Sequence, residues 1–290
     1  MNINEIIIAL SFVKGIGKVK TKKILTSLQN FNLTNEEFID HIKNENMIKE
    51  NEIVFFKQYL SKADKILEIT NNSKIKVVNY LEEQFPKQLK TIPNPPIQLF
   101  IKGNVDSLNN FEKSIAVIGT RNPTEISKKI AFEIAEKFSN KDYVIVSGLA
   151  KGCDTAAHKG CLKNNGSTVA VLAHGLHDIF PKSNLELSEK IIVSGGCLVS
   201  EYYHGKDPED YFFIERDRIQ SGLSSSIVLV ESEIDGGSMH TINFAKAQNR
   251  NIYAMRPVSN SNSFLGNKKV IDDKIAIEFQ NTQHLTKIFD

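Results

Sequence analysis

The segment from Ile115 to His158 constrains the fold of this chain more than any other. Ile115-Ala116-Val117-Ile118 runs into Gly119-Thr120-Arg121 and a helical stretch. Tyr143-Val144-Ile145-Val146 then runs into Ser147-Gly148-Leu149-Ala150-Lys151-Gly152-Cys153-Asp154, with His158 following. Each apolar run is too short for a helix and rich in β-branched residues, and each ends in a glycine-bearing turn that opens a helix. That is the sequence form of a parallel βαβ unit with both turns at the carboxyl edge of a sheet. Open α/β sheets bind ligands at that edge. Glycines, hydroxyls and Arg121 in those turns suit a phosphate-bearing partner, so the segment reads as an anion cradle.

The same alternation continues beyond it. Strands are expected at 115–118, 143–147, 168–172, 197–200, 227–231 and 252–255, with helices at 125–138, 154–162, 185–193, 213–223 and 238–248. Strands alternating with helices imply a mostly parallel sheet covered on both faces, an α/β fold. Residues 73–106 differ. Strand-like runs at 76–80 and 97–102 flank Phe85-Pro86 and Pro93-Asn94-Pro95-Pro96, and proline belongs to neither a helix interior nor a central strand. This stretch reads as an added edge element. The tail from 260 to 290 carries Val270, Ile271, Ile275, Ile277, Phe279, Leu285, Ile288 and Phe289, which either pack back on the sheet or help a dimer contact.

Residues 1–72 read as short helices. Ile3, Ile6, Ile7 and Leu10 share one helical face, and further helices are expected at 21–28, 38–42 and 54–67. Between the first two, Val13-Lys14-Gly15-Ile16-Gly17-Lys18-Val19 makes a tight turn resembling a helix-hairpin-helix, with Lys20, Lys22 and Lys23 close by. Such a turn can hold a nucleic-acid phosphate, or it can simply be a glycine-capped end.

Composition narrows the partner. With a net charge of +2 over 290 residues, any polyanion site must be a local patch rather than a global field. Cys153, Cys161 and Cys197 form no C-x-x-C pair, so neither a disulfide framework nor a structural zinc site is expected, and a reducing cytoplasm fits. The apolar run at 6–10 is too short to span a bilayer, and no membrane association is expected. The turn after the first strand lacks G-x-G-x-x-G, and no G-x-x-x-x-G-K-[ST] occurs, so neither a dinucleotide cofactor nor P-loop ATP chemistry is expected. A helix amino terminus, backbone amides, Thr120 and Arg121 remain to hold a phosphate.

Three further groups bear on the chemistry. Asp154 sits where a helix cap and loop brace belong, and His158 lies one turn on, as an orienting partner or a general base. In the run Tyr211-Phe212-Phe213-Ile214-Glu215-Arg216-Asp217-Arg218, rings can stack bases while guanidinium groups hold a backbone. The same run also fits an amphipathic helix start with Glu215 and Arg218 paired. Glu231-Ser232-Glu233-Ile234-Asp235-Gly236-Gly237-Ser238, followed by Thr241, again offers amides and hydroxyls to an anion. Glu231 would repel phosphate, so it orients loop amides or meets a sugar or base edge.

These clusters, in this order, resemble the DNA-processing protein A (DprA/Smf) family. The resemblance runs nearly full length. It includes Gly15-Ile16-Gly17, Phe85-Pro86, Leu89, Pro95-Pro96, Leu99-Phe100, Gly103 and Gly119-Thr120-Arg121. It continues through Ser147-Gly148-Leu149-Ala150, Gly152, Asp154, Ala157-His158, Ala170-Val171-Leu172, Gly175-Leu176 and Pro181. Ser200-Glu201-Tyr202, Phe213, Arg216, Arg218, Glu231, Gly237-Ser238 and Thr241 complete it. The resemblance implies an extended Rossmann-like, doubly wound domain over 73–290 behind a small all-helical (SAM/helix-hairpin-helix-like) domain over 1–72. It implies a homodimer without enzymatic activity that binds single-stranded DNA in a basic pocket and loads the RecA recombinase in natural transformation. Arg121, Arg216 and Arg218 match the basic positions, and the DNA-contacting set would be Gly119, Thr120, Arg121, Ser147, Gly148, Leu149, Ala150, Lys151, Gly152, Phe213, Arg216, Arg218, Gly237, Ser238 and Thr241. Asp154, His158 and Glu231 would orient the loops.

The chain departs from the family pattern in places. Arg216-Asp217-Arg218 stands for the usual Arg-Asn-Arg, Arg256-Pro257 for Pro-Gly, and Lys274-Ile275 for Gly-Ala; no winged helix is expected after Asp290. The rival reading is a nucleotide phosphoribohydrolase of the lysine-decarboxylase-like type, built on a Gly-Gly-x-Gly-Thr-x-x-Glu loop. Aligned on Thr241, Gly237 fits it, but Ser238 and His240 replace glycines and Phe244 takes the place of the acid. A nucleotide- or DNA-sensing module is a third reading.

Overall fold

Buried β-branched runs alternating with amphipathic helices leave few ways to pack, and the computed structural model, described for residues 2–28 and 33–289, adopts one of them. The chain opens with four helices, α1 (Ile3–Ser11), α2 (Lys18–Ser27), α3 (Asn35–Asn44) and α4 (Glu50–Asn72). The Asn2 side chain caps α1, and Thr34 with Glu37 forms a capping box on α3. The chain then runs β1 (Lys76–Asn79), α5 (Lys87–Lys90), β2 (Gln98–Gly103), β3 (Ser114–Ile118), α6 (Glu125–Ser139), β4 (Val144–Ser147) and α7 (Cys153–Leu162). After these come β5 (Thr168–Leu172), α8 (Leu185–Val193), β6 (Cys197–Ser200), α9 (Asp210–Gly222), β7 (Ser226–Leu229) and α10 (Ser238–Ala247). The tail adds β8 (Asn251–Met255), α11 (Leu265–Asp272), β9 (Ile277–Phe279) and α12 (Thr282–Phe289).

The strands form one sheet in the order β1-β2-β6-β5-β4-β3-β7-β8-β9. From β6 to β9 every neighbouring pair is parallel; β1 and β2 join antiparallel at the β6 edge. Alternation along each strand sorts side chains to two faces. Ala116, Ile118, Ile227 and Leu229 pack with Ile219 and Ile242 of α9 and α10. Ile115, Val117, Val228 and Val230 pack with Ala131, Ile134 and Ala157 of α6 and α7. The amino-terminal helices bury Ile6, Leu10, Phe38 and Phe56 in a core that also takes in Phe100, Leu172 and Leu198 of the sheet.

Part of the apolar tail packs back on the sheet. Phe279 and Leu285 are buried in the core under α6, where Phe289 stacks edge-on to Phe138 with ring centroids 4.7 Å apart. Among the described residues no helix is long and apolar enough to cross a membrane.

Candidate nucleic-acid interface

β3 is the point where the sheet order reverses. β4 and β5 lie to one side of it and β7 and β8 to the other, so the loops leaving β3 and β7 diverge and open a crevice at the carboxyl edge. A cavity of about 460 Å³ occupies that crevice. Thr120, Arg121 and Asn122 line it from the β3–α6 loop, Ala150 from the β4–α7 turn and Asp154 from the start of α7. Phe213, Arg216, Asp217 and Gln220 contribute from α9, and Gly237, Ser238 and Thr241 from the start of α10. That helix begins without a side-chain cap on its first amides. Glycine-rich loops and an uncapped helix start suit an anion.

Arg216 forms the floor. The residue is 6% exposed, and it packs so closely on Gly148 that a Cβ there would overlap the guanidinium. Nη1 donates to Gln220 Oε1 at 2.9 Å. Nε lies 3.4 Å from Asp217 Oδ1 as an ion pair but makes no hydrogen bond. A buried donor without a hydrogen-bond acceptor costs roughly 1–3 kcal/mol, and the Asp217 carboxylate beside it offsets part of that cost.

Two guanidinium groups share the cavity with the carboxyls of Asp154, Asp217 and Glu233. Burial, opposed by Arg216 and the Thr241 hydroxyl and reinforced by Asp154, pushes Asp217 up to about 7. Burial also raises Asp154, against the Arg216 charge and the amides it accepts. Burial thus works against the charged forms of both acids, which stand beside the Arg121 and Arg216 guanidinium groups. Arg121 is exposed, with its guanidinium 5.5 Å from the centroid of the Phe213 ring.

The sequence-derived set divides here. Gly119, Thr120, Arg121, Ala150, Phe213, Arg216, Gly237, Ser238 and Thr241 meet at the cavity. Ser147, Gly148, Leu149, Lys151 and Gly152 are not on its wall; they shape the turn behind it. The Ser147 hydroxyl donates to Val117 O at 2.8 Å, tying β4 to β3, and Gly148 makes room for Arg216. Leu149 is fully buried, and Gly152, at φ +79°, is pressed against the carbonyls of Thr120 and Arg121. The Lys151 side chain is exposed outside the cavity.

Arg218, expected on phosphate, lies elsewhere: it is 1% exposed and ion-paired with Glu201 and Glu215, and Lys18 reaches the same two acids at 3.1 and 2.5 Å. Residues two apart on a helix do not face the same way, so Arg216 and Arg218 separate. Lys18, part of the possible phosphate-holding turn, is therefore bound to this network.

Asp154 braces the loop as expected but is not the cap. Gly152 caps α7, and Asp154 Oδ2 accepts from the amides of Gly148 at 3.0 Å and Ala150 at 3.3 Å. His158 is buried against Thr168, Nδ1 to Oγ1 2.8 Å. Burial and the Arg216 charge lower it to about 3, so it stays neutral, and its bond to Thr168 joins α7 to β5. Glu231, also buried, accepts from the amide and hydroxyl of Thr124 at 2.9 Å, fixing the β3–α6 loop. Gln220 and Asn122 are cavity residues the sequence did not point to; nothing but their place on α9 and in the first loop marks them.

The model of the family described as DNA recombination-mediator protein A matches residues 76–290 of the chain, from β1 through the tail. The chain belongs to this family. Among its curated relatives, the DNA processing protein DprA of Bacillus subtilis is 34% identical over 198 residues, 68% of this chain and 66% of the relative; the chain thus spans about two thirds of that protein's length. The crystal structure of DNA processing protein A from Streptococcus pneumoniae superposes with a TM-score of 0.80 at 26% identity, covering 99% of this chain and 98% of that one. A Helicobacter pylori DNA processing protein A, described for its single-stranded DNA binding mode, shares the fold with a TM-score of 0.67 at 24% identity over 74% of this chain and 95% of its own.

Proposed function

We propose that the chain binds single-stranded DNA without regard to base sequence. Arg121 and Arg216 hold phosphate in the carboxyl-edge cavity, and the Gly119–Thr120 and Gly237–Ser238 turns supply amides and hydroxyls. The observation that carries the reading is the Arg216 guanidinium, buried at the floor of a cavity that Arg121 and the aromatic Phe213 also line. The family membership and the Helicobacter relative's single-stranded DNA binding support it. In this reading the chain acts in the cytoplasm as a homodimer and a non-enzymatic mediator, loading a RecA recombinase onto strands taken up in transformation.

The test is a titration of labelled oligonucleotide, single- against double-stranded, at several ionic strengths. Single strands should be preferred, with log affinity falling linearly in log salt. Absence of binding to oligo(dT) in dilute buffer would overturn the reading, and release of free base from nucleoside monophosphates would favour a hydrolase instead.

A further inference from the structure

We propose that Phe180 is a base-stacking residue at the rim of the cavity, receiving the nucleobase next to the phosphate that Arg121 and Arg216 hold; this rests on the single-strand reading above. Phe180 lies between β5 and α8, on the same carboxyl edge as the cavity. The segment around it is firmly anchored. Leu176 and Ile179 are buried beneath it, and Asn184 Nδ2 donates to Leu149 O at 2.8 Å and to Thr155 Oγ1 at 2.9 Å. Asn184 thereby ties the segment to the turn that contributes Ala150 to the cavity wall.

In this fixed segment the Phe180 ring is left 50% exposed. It meets Phe213 edge-on, with centroids 6.1 Å apart and planes 61° from parallel, and Phe213 in turn carries the Arg121 guanidinium. Leaving a large apolar ring half in water forgoes burial that its neighbours Leu176 and Ile179 obtain. The combination selects the ligand. An apolar peptide would cover the two rings but bring no anion to the Arg121 and Arg216 guanidinium groups that line the cavity. A free anion would satisfy the guanidinium groups and leave the rings wet. A nucleotide unit of a single strand offers the anion and a flat π-face together.

The experiment compares wild type, Phe180→Ala and Phe180→Trp on oligo(dT) and on an abasic strand of equal length, with a 2-aminopurine strand as a fluorescence probe. Because Phe180 is half exposed, the alanine variant should fold as wild type does, which circular dichroism checks. Phe180→Ala should weaken oligo(dT) binding about tenfold while leaving abasic-strand affinity and the salt slope unchanged. Phe180→Trp should restore affinity, and 2-aminopurine quenching should be present with wild type and lost with the alanine variant. Unchanged oligo(dT) affinity in Phe180→Ala, or equal losses on both strands, would overturn the assignment. Failure of wild type to bind either strand would instead sink the single-strand reading, and the two failures are told apart by the wild-type titration alone.

Discussion

The guanidinium of Arg216 lies directly against the Cα of Gly148, in space that any Cβ at residue 148 would occupy. The two residues come from different elements, the β4–α7 turn and α9, so this contact sets how far the arginine reaches into the cavity. Gly148→Ala should push Arg216 off its seat and weaken oligonucleotide binding by tenfold or more, on the order of 1.4 kcal/mol. Overpacking should lower stability by roughly 1–3 kcal/mol without abolishing the fold. Fluorescence anisotropy with a thermal melt checks both, and unchanged affinity would remove Arg216 from the site.

Asp217 should make binding depend on proton concentration. Its carboxyl is pushed up to about 7, so above that pH it becomes an anion inside the proposed phosphate site, 3.4 Å from the Arg216 guanidinium. Affinity should fall as pH rises from 6 to 8, by up to about tenfold per unit beyond the midpoint if only the neutral form admits phosphate. The same group bears on stability. A carboxyl raised above its unfolded value of about 3.9 favours the fold most below that value, and the contribution fades as pH climbs to about 7. Asp217→Asn should therefore flatten the binding profile and raise the melting temperature at pH 8. A binding profile that keeps its slope in that variant would refute the assignment.

Glu201 is the counter-ion of the fully buried Arg218, and Lys18 ties α2 to the same carboxylate at 3.1 Å. Glu201→Gln leaves the buried guanidinium with only the more distant Glu215 carboxylate, at 3.6 Å, and should cost about 3 kcal/mol. For a chain of this size that is a fall in melting temperature on the order of 10 °C. Lys18→Ala should cost far less, because that side chain is 29% exposed. The salt slope of oligonucleotide binding should be unaffected in Glu201→Gln, measured below its melting temperature; a reduced slope would return Arg218 to the DNA-binding set.

Arg121 is the exposed cation of the site and makes the opposite case. Arg121→Ala should leave the melting temperature within a degree or so, weaken binding to all sequences alike, and lower the salt slope by about one. A melting-temperature loss with an intact slope would reassign it to a structural role.

The strand-and-turn framework was legible because its signals are local. Fully buried runs such as Val169-Ala170-Val171 need no distant partner to be recognised, and the glycine turns at 119 and 148 stand at their ends. β9 was not legible: it has three residues, and only Phe279 is buried, too little for a periodicity. The cavity was legible as a set of loops but not as a wall. Ser147 to Gly152 carry the right chemistry, yet only Ala150 and, beyond them, Asp154 face the space, since a turn presents a few of its residues and buries the others in shaping itself.

By itself the sequence determined the α/β alternation, the carboxyl-edge turns where the cavity opens, and most of the arginine- and glycine-bearing clusters that line it. Tertiary structure alone decided between Arg216 and Arg218. Two positions apart on α9 they are equivalent in motif, but the rotation of the helix turns one onto Gly148 and the cavity and the other onto Glu201 and Lys18. Propensity and periodicity act over a few residues, whereas the pairing of a buried charge depends on which groups, here up to 197 residues apart in the chain, the packing brings within a few ångströms.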